Sequence, residues 1–215
     1  MEKGNYFSAR RISYFAILLA LVIVLQAFGG TINIGAVQLN FTLIPIVLGA
    51  IVLGPLAGAL LGFACGVVVL VQVIMGVVPF YTLIWTNDPV VTALTCVVKT
   101  TVAGLVAGLL FNLIKKKNKH VAVFVAAGVV PVINTSLFIV GCLFMVNSVY
   151  GLASGQNILV YILVSLVTFN FFFEFSINLL LAPGIERVIR VFDKSHVQAE
   201  NSMLEIVENT DTDKE

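Results

Sequence analysis

The chain has 215 residues, of which 60% are hydrophobic and only 11% are charged. Soluble domains carry about 25% charged residues, so this composition excludes an ordinary water-soluble globular protein. Much of the apolar surface must instead face a lipid bilayer. At about 20 residues per transmembrane helix, the length allows about six spans and leaves little for an external domain.

The positive charges are distributed unevenly along the chain. Eleven of the twelve Lys and Arg residues flank the apolar segments in positions that belong to one side of a membrane. The segments 29–39, 76–87 and 148–156, which belong to the other side, contain no Lys or Arg. The positive-inside rule then predicts that both termini are cytoplasmic and that the number of crossings is even. The twelfth cation, Lys99, lies alone within an apolar segment.

Six transmembrane helices are predicted, which makes the fold class a compact all-α membrane bundle. They are expected at 12–28, 39–53, 56–75, 88–114, 121–146 and 157–189. Arg10 and Arg11 precede the first helix as they would in a signal peptide, but no clear cleavage site follows, so we expect this helix to be retained. The chain thus divides into a transmembrane domain, 1–192, and an acidic cytoplasmic tail, 193–215, which is expected to be disordered.

Glycines recur at helical spacing in the third predicted helix. Gly54, Gly58, Gly62 and Gly66 follow one another at intervals of four residues, so they share one helix face. In lipid, such a row lets a second helix backbone approach closely. The pattern favours packing against another helix of the same chain.

Polar side chains form stripes on three of the predicted helices. They are Asp88, Thr92, Thr95 and Lys99 on the fourth helix, Asn134 on the fifth, and Asn170, Glu174 and Asn178 on the sixth. Spacings of three or four residues place each stripe on one helix face. Because lipid-facing polar groups are costly, we expect the stripes to converge on the interior of the bundle.

Lys99 and Glu174 are predicted to lie at similar depths. Lys99 precedes Lys115 by 16 residues and Glu174 precedes Arg187 by 13, so at about 1.5 Å per residue the two depths agree to within about 5 Å. One interpretation is an ion pair that joins the fourth and sixth helices. The other is that one of the two side chains faces a substrate cavity, the default hypothesis for an ionisable residue inside a membrane.

The outer segments add further candidates for a binding site. Aromatic residues at this level, such as Tyr81 and Trp85, usually anchor a protein at the membrane interface, but they can also stack on a flat ligand. The complete predicted substrate-binding set comprises Asn40, Trp85, Asn87, Thr95, Lys99, Asn134, Asn170 and Glu174.

The sequence contains no recognisable catalytic or metal-binding pattern. Cys65, Cys96 and Cys142 lie within apolar segments without metal-ligand spacing, which favours a packing role. No nucleophile lies near a histidine, and no metalloprotease motif or P-loop occurs. We therefore expect no enzyme activity, no cofactor and no metal, and we expect any ATP hydrolysis that drives transport to take place in another subunit.

Several short segments resemble a known transporter family. They are Ala-Ile-Leu-Leu-Ala at 16–20, Ile-Pro at 44–45, Leu-Gly-Pro-Leu-Ala-Gly at 53–58 and Val-Lys-Thr-Thr-Val-Ala-Gly at 98–104. In a chain of this size and predicted topology, they are similar to the substrate-binding S component of an energy-coupling factor (ECF) transporter. The resemblance covers 10–194.

This resemblance implies a function and a set of partners. S components bind vitamins or related micronutrients at the outer side of a prokaryotic cell membrane. They dock through the first helix onto a transmembrane T subunit joined to two cytoplasmic ABC ATPases, and they are thought to topple to carry the ligand inward. Ala16 and Ala20 would form the docking face, because small side chains let another helix approach closely. Packing within this chain is the alternative role for these alanines.

The resemblance leaves the substrate open among a few vitamins. Pantothenate is the first expectation, because Lys99 suits a carboxylate, and folate or riboflavin come next. A stand-alone secondary transporter is the alternative class of protein. It would be expected to contain internal repeats or broken helices around a midplane site, and the sequence has no convincing repeat.

Overall fold

The computed structural model describes 9–29, 33–34, 37–38, 41–145 and 171–190, together with a few single positions between 149 and 167. Its elements in chain order are α1 Ala9–Gly29, β1 Asn33–Ile34, β2 Val37–Gln38, α2 Leu43–Val52, α3 Pro55–Ile74, α4 Pro79–Trp85, α5 Pro89–Ile114, α6 Lys119–Phe144 and α7 at 171–190. The acidic tail lies outside the described residues.

The protein is a helical, multi-pass membrane protein. Four helices in the described part of the chain are long and apolar enough to cross a bilayer: Arg11–Phe28, Pro55–Ile74, Pro89–Ile114 and Lys119–Phe144. Helix α2 has the same apolar character but only ten residues. The sixth predicted span is described only in its second half, as α7. The count of six spans and the orientation of the termini therefore stay predictions.

Two short elements were not predicted. The segment before α2 contains a hairpin in which Asn33 pairs with Gln38 and Ile34 pairs with Val37. The segment after α3 contains α4, which begins at a proline, where the missing backbone N–H costs nothing. Helix α2 also begins at Leu43, four residues later than predicted. All three differences lie at the end of the bundle that the sequence predicts to be the outer one.

The glycine row of α3 packs against α5, which agrees with the predicted packing against another helix of the same chain. A Cβ atom added at Gly62 would lie 2.2 Å from the carbonyl oxygen of Thr100, and one added at Gly58 would lie 2.6 Å from that of Gly104. The two backbones are therefore in direct contact. The hydroxyl of Thr100 donates a hydrogen bond of 2.7 Å to the carbonyl oxygen of Gly62, which joins the helices at their closest point.

The tight turn between α2 and α3 depends on Gly54. Its φ of +107° is a conformation that side chains with a Cβ rarely adopt. Pro55 follows at the start of α3, where its fixed φ suits the first helical turn. The short α2 is thereby folded back beside α3.

The outer surface of the bundle is strongly apolar. Large side chains such as Leu56, Leu113, Phe144 and Leu180 are each at least two-thirds exposed. Exposure of this extent is unfavourable in water and is expected of residues that contact lipid tails. Helix α1 is the least covered of the four candidate spans, with 17% of its span buried within the chain.

We predict that the exposed loop between α5 and α6 is cytoplasmic. In a cysteine-free background, Lys117→Cys should resist an impermeant thiol reagent in sealed right-side-out cells, because positive loops stay inside. Thr86→Cys, an exposed position in the turn after α4, should be labelled and provides the matched control. Labelling at position 117 in sealed cells would overturn the predicted orientation.

Candidate functional site

The intramembrane cation Lys99 is buried against aromatic rings. Its side chain is 9% exposed, and its ammonium nitrogen Nζ lies 5.2 Å from the ring centre of Tyr81 and 5.5 Å from that of Phe138. Both distances are within the range of cation–π attraction, which strengthens when the cation is desolvated. Three elements build this arrangement: α5 supplies the lysine, α4 supplies Tyr81 and α6 supplies Phe138.

The two rings belong to an aromatic cluster of three residues, which we call the aromatic triad: Phe80, Tyr81 and Phe138. Ring centres of each pair lie 5.5 to 5.8 Å apart in edge-to-face geometry. Such contacts favour one fixed arrangement of the rings. The triad therefore holds the unpredicted helix α4 over the outer half of α6 and presents a rigid apolar wall beside the lysine.

Lys99 does not form the ion pair that the sequence allowed. Within the described part of the chain, no carboxylate oxygen lies within 4 Å of its ammonium, and the ion pairs found there join Glu186 to His120 and to Arg190. Glu174 is itself buried, at 3% exposure, on α7. The lysine is thus placed against rings rather than against that carboxylate.

Three buried polar side-chain atoms on α4, α6 and α7 have no hydrogen-bond partner in the described structure. They are the Tyr81 hydroxyl, Asn134 Oδ1 and Asn178 Oδ1. A buried polar group without a partner costs about 1–3 kcal/mol, so such groups call for an explanation. The Tyr81 hydroxyl can donate and Asn134 Oδ1 can accept, and both residues lie on elements that also carry the aromatic triad. Polar groups of a ligand are one means of satisfying them.

The structure places the other predicted residues in different settings. Thr95 is buried, and its hydroxyl donates to the carbonyl oxygen of Val91 in its own helix. Trp85 packs against the core at the end of α4, whereas Asn87 is exposed in the following turn. Asn40 and Asn170 lie outside the described residues. Of the predicted stripe on this helix, Thr92, Thr95 and Lys99 are buried, whereas Asp88 is partly exposed.

Phe138 is the site residue that sequence reasoning missed. It lies four residues after Asn134, so the two share one face of α6. That spacing was visible in the sequence. Phenylalanine is nevertheless common on every face of a membrane helix, and only the position of α4 shows that this one meets Lys99.

A second buried polar cluster, also missed, joins α1, α2 and α3. Gln26 Nε2 donates to Gln72 Oε1 at 3.0 Å, and Gln72 Nε2 donates back to the carbonyl oxygen of Gln26 at 3.0 Å. The Thr42 hydroxyl donates to Gln26 Oε1 and lies 3.2 Å from Cys65 Sγ. Two side-chain amides that satisfy each other in this way hold helices in register, and this cluster is structural.

The Lys99 region offers groups that suit the binding of an anion. A buried ammonium and the hydroxyl of the tyrosine whose ring it faces can both donate to a carboxylate, which accepts hydrogen bonds. The three cysteines are buried and free, as a packing role predicts. The residues that the structure describes include no group of three or more His, Cys, Asp or Glu side chains arranged to hold a metal ion.

Comparison with known families identifies the family of this chain. The chain matches the family model described as "ECF transporter, substrate-specific component" over residues 10–186. The chain therefore belongs to the family of substrate-specific components of ECF transporters. Such components in general bind a substrate and work with an ECF module. Comparison with curated proteins finds no significant match.

Proposed function

We propose that this protein is the high-affinity binding subunit for uptake of a vitamin that carries a carboxylate. The observation that carries the proposal is the buried Lys99 ammonium, which lies over the Tyr81 ring and has no carboxylate of the described residues within 4 Å. A ligand carboxylate there would neutralise the cation and satisfy the hydroxyl. Family membership supports a substrate-binding role for this chain.

Pantothenate is the proposed substrate, with folate and then riboflavin as the next candidates. Pantothenate combines a carboxylate for Lys99 with hydroxyl and amide groups that can donate to Asn134 Oδ1. Folate shares the carboxylate and adds a flat ring system for the aromatic triad. Riboflavin has the flat ring system but no carboxylate, so it leaves Lys99 without an anionic partner.

The proposed partners are a transmembrane T subunit and two ABC ATPases in a prokaryotic cell membrane. We propose that this chain hydrolyses no ATP and that the ATPase subunits energise transport. Purification of the tagged protein at native expression levels should recover both kinds of subunit. Transport by the purified chain alone in ATP-free vesicles would instead support the alternative, a small stand-alone secondary transporter.

We predict that a bulky residue on α1 blocks docking but spares ligand binding. Ala16 and Ala20 are exposed on α1, on a face that the rest of the described bundle leaves uncovered. Ala16→Trp or Ala20→Trp should abolish uptake in vesicles that contain the complete transporter, because the ring prevents close helix approach. Ligand affinity of the isolated protein should be unchanged, since the aromatic triad lies on other helices.

Leu21→Trp is the matched control for the docking variants. Leu21 is also exposed and on α1, but at about 100° per residue it points about 100–140° away from the two alanines. Its substitution should preserve uptake. Normal uptake by both alanine variants would show that this face does not dock, and loss of uptake in Leu21→Trp as well would show that the effect is not specific to the face.

A further inference from the structure

The Lys99 ammonium lies in a corner formed by the faces of two aromatic rings. Its nitrogen Nζ is 5.2 Å from the ring centre of Tyr81 and 5.5 Å from that of Phe138. The two ring centres are 5.8 Å apart and the ring planes meet at 76°, so the ammonium contacts both rings at once. Because the lysine is buried, little water competes with these contacts. The rings therefore stabilise the buried charge on two sides.

These two ring contacts oppose the binding of an anion to Lys99. A desolvated cation–π contact corresponds to about two- to 30-fold in an equilibrium constant. A carboxylate oxygen approaches an ammonium to about 2.8 Å, whereas the negative faces of aromatic rings repel a carboxylate. The carboxylate must therefore approach from the side away from the rings and draw the ammonium off them. The rings and an anionic ligand thus compete for the same cation.

We propose that Tyr81 and Phe138 are specificity-determining residues whose ring faces compete with the ligand for the Lys99 ammonium. A carboxylate displaces the rings, because its full negative charge attracts the ammonium more strongly than a ring face does. A neutral polar group gains no such attraction and leaves the lysine on the rings. The site is thereby selective for anionic over neutral forms of the same ligand. This inference rests on the proposed function, since it takes the ligand carboxylate to be the partner of Lys99.

Phe138 is the residue at which this competition can be measured by itself. Its side chain has no polar atom, so its electrostatic attraction for Lys99 comes only from the ring face. Tyr81 also carries a buried hydroxyl that can donate to the ligand, so a change there alters two contacts. Fluorine atoms on the Phe138 ring withdraw electron density from its face and weaken the cation–π attraction, with little change in the size or apolar character of the ring.

Ligand affinity of the full-length protein with mono-, di- and trifluorinated phenylalanine at position 138 tests the proposal. Calorimetric titration with pantothenate and with folate should show an affinity that rises with each fluorine. The trifluorinated protein should bind the carboxylate ligand about two- to 30-fold more tightly than the wild type. The alcohol analogue of pantothenate, in which a hydroxymethyl group replaces the carboxylate, should bind with unchanged affinity, because it does not draw the ammonium from the rings. A role of Phe138 in packing alone would not separate the two ligands.

Trifluorinated phenylalanine at position 80 is the matched control. The Phe80 ring belongs to the same aromatic triad, but the cation–π contacts of Lys99 in the described structure are to Tyr81 and Phe138, so this change should leave affinity unchanged. Unchanged or weaker carboxylate binding in the folded variants at position 138, or an equal gain at position 80, would overturn the inference. Loss of binding in Lys99→Met would still support the proposed function in that case. If the folded wild type bound no carboxylate vitamin, the proposed function would be wrong and this inference with it.

Discussion

Lys99→Met should weaken binding of a carboxylate ligand by about ten- to 150-fold. A hydrogen bond to a charged group contributes about 1.5–3 kcal/mol, and the substitution removes the ammonium while keeping an apolar stem against the aromatic triad. Calorimetric titration of the purified protein measures the effect. Lys115→Met is the matched control, because Lys115 also lies over a phenylalanine ring, at 5.5 Å from that of Phe111, but is exposed in the loop after α5.

A double substitution separates direct contact from an indirect effect on Glu174. If Lys99 served mainly to neutralise that carboxylate, Lys99→Met with Glu174→Gln would recover binding. Since the lysine lies against rings rather than within 4 Å of Glu174, we expect the double variant to remain weak. Unchanged affinity in a folded Lys99→Met protein would remove this residue from the binding site.

Gly62→Ala should destabilise the bundle, although alanine is the better helix former. The added Cβ would lie 2.2 Å from the Thr100 carbonyl oxygen, so α3 and α5 must separate and the Thr100 hydrogen bond to Gly62 is strained or lost. Overpacking typically costs about 1–3 kcal/mol, and a backbone obstacle cannot rotate away. This cost exceeds the gain in helix propensity of about 1 kcal/mol. A lower thermal unfolding midpoint in detergent is the expected result.

Gly184→Ala is the matched control for Gly62→Ala, and we expect it not to destabilise the bundle. Gly184 lies in α7, and no atom of the described structure lies within 4 Å of a Cβ built there. The substitution should leave the midpoint unchanged or raise it, because only helix propensity changes. If Gly62→Ala raised the midpoint as much as Gly184→Ala, the close contact of α3 with α5 would be wrong.

The long helices were predictable from the sequence, and the short elements were not. Continuous apolar segments can only be helices in a bilayer, so Pro55–Ile74 and Pro89–Ile114 were located to within one residue. The four-residue glycine spacing also predicted that α3 packs closely against another helix of the chain, although it did not identify that helix as α5. Helix α4 has only seven residues and begins with a proline, so its apolar and aromatic residues resembled an interfacial loop.

Part of the candidate site was also predictable from patterns within single helices. Charge inside an apolar segment singled out Lys99, helical spacing added Thr95, and polarity inside an apolar segment added Asn134. The positions of the rings around Lys99 depend on how α4 packs against α6. The spacing of residues within either helix does not predict that packing. The Gln26–Gln72 contact likewise joins residues 46 positions apart, and neither glutamine forms part of a stripe.

The most direct test of the account is ligand binding by the purified chain in the absence of ATPase subunits. Native mass spectrometry and calorimetry with pantothenate, folate and riboflavin would identify the ligand and its stoichiometry. We predict that one molecule of a carboxylate vitamin, pantothenate first, binds per chain and that Lys99→Met loses it while Lys115→Met does not. Binding of riboflavin alone, unaffected by Lys99→Met, or binding of none of the three vitamins by folded protein, would contradict the account.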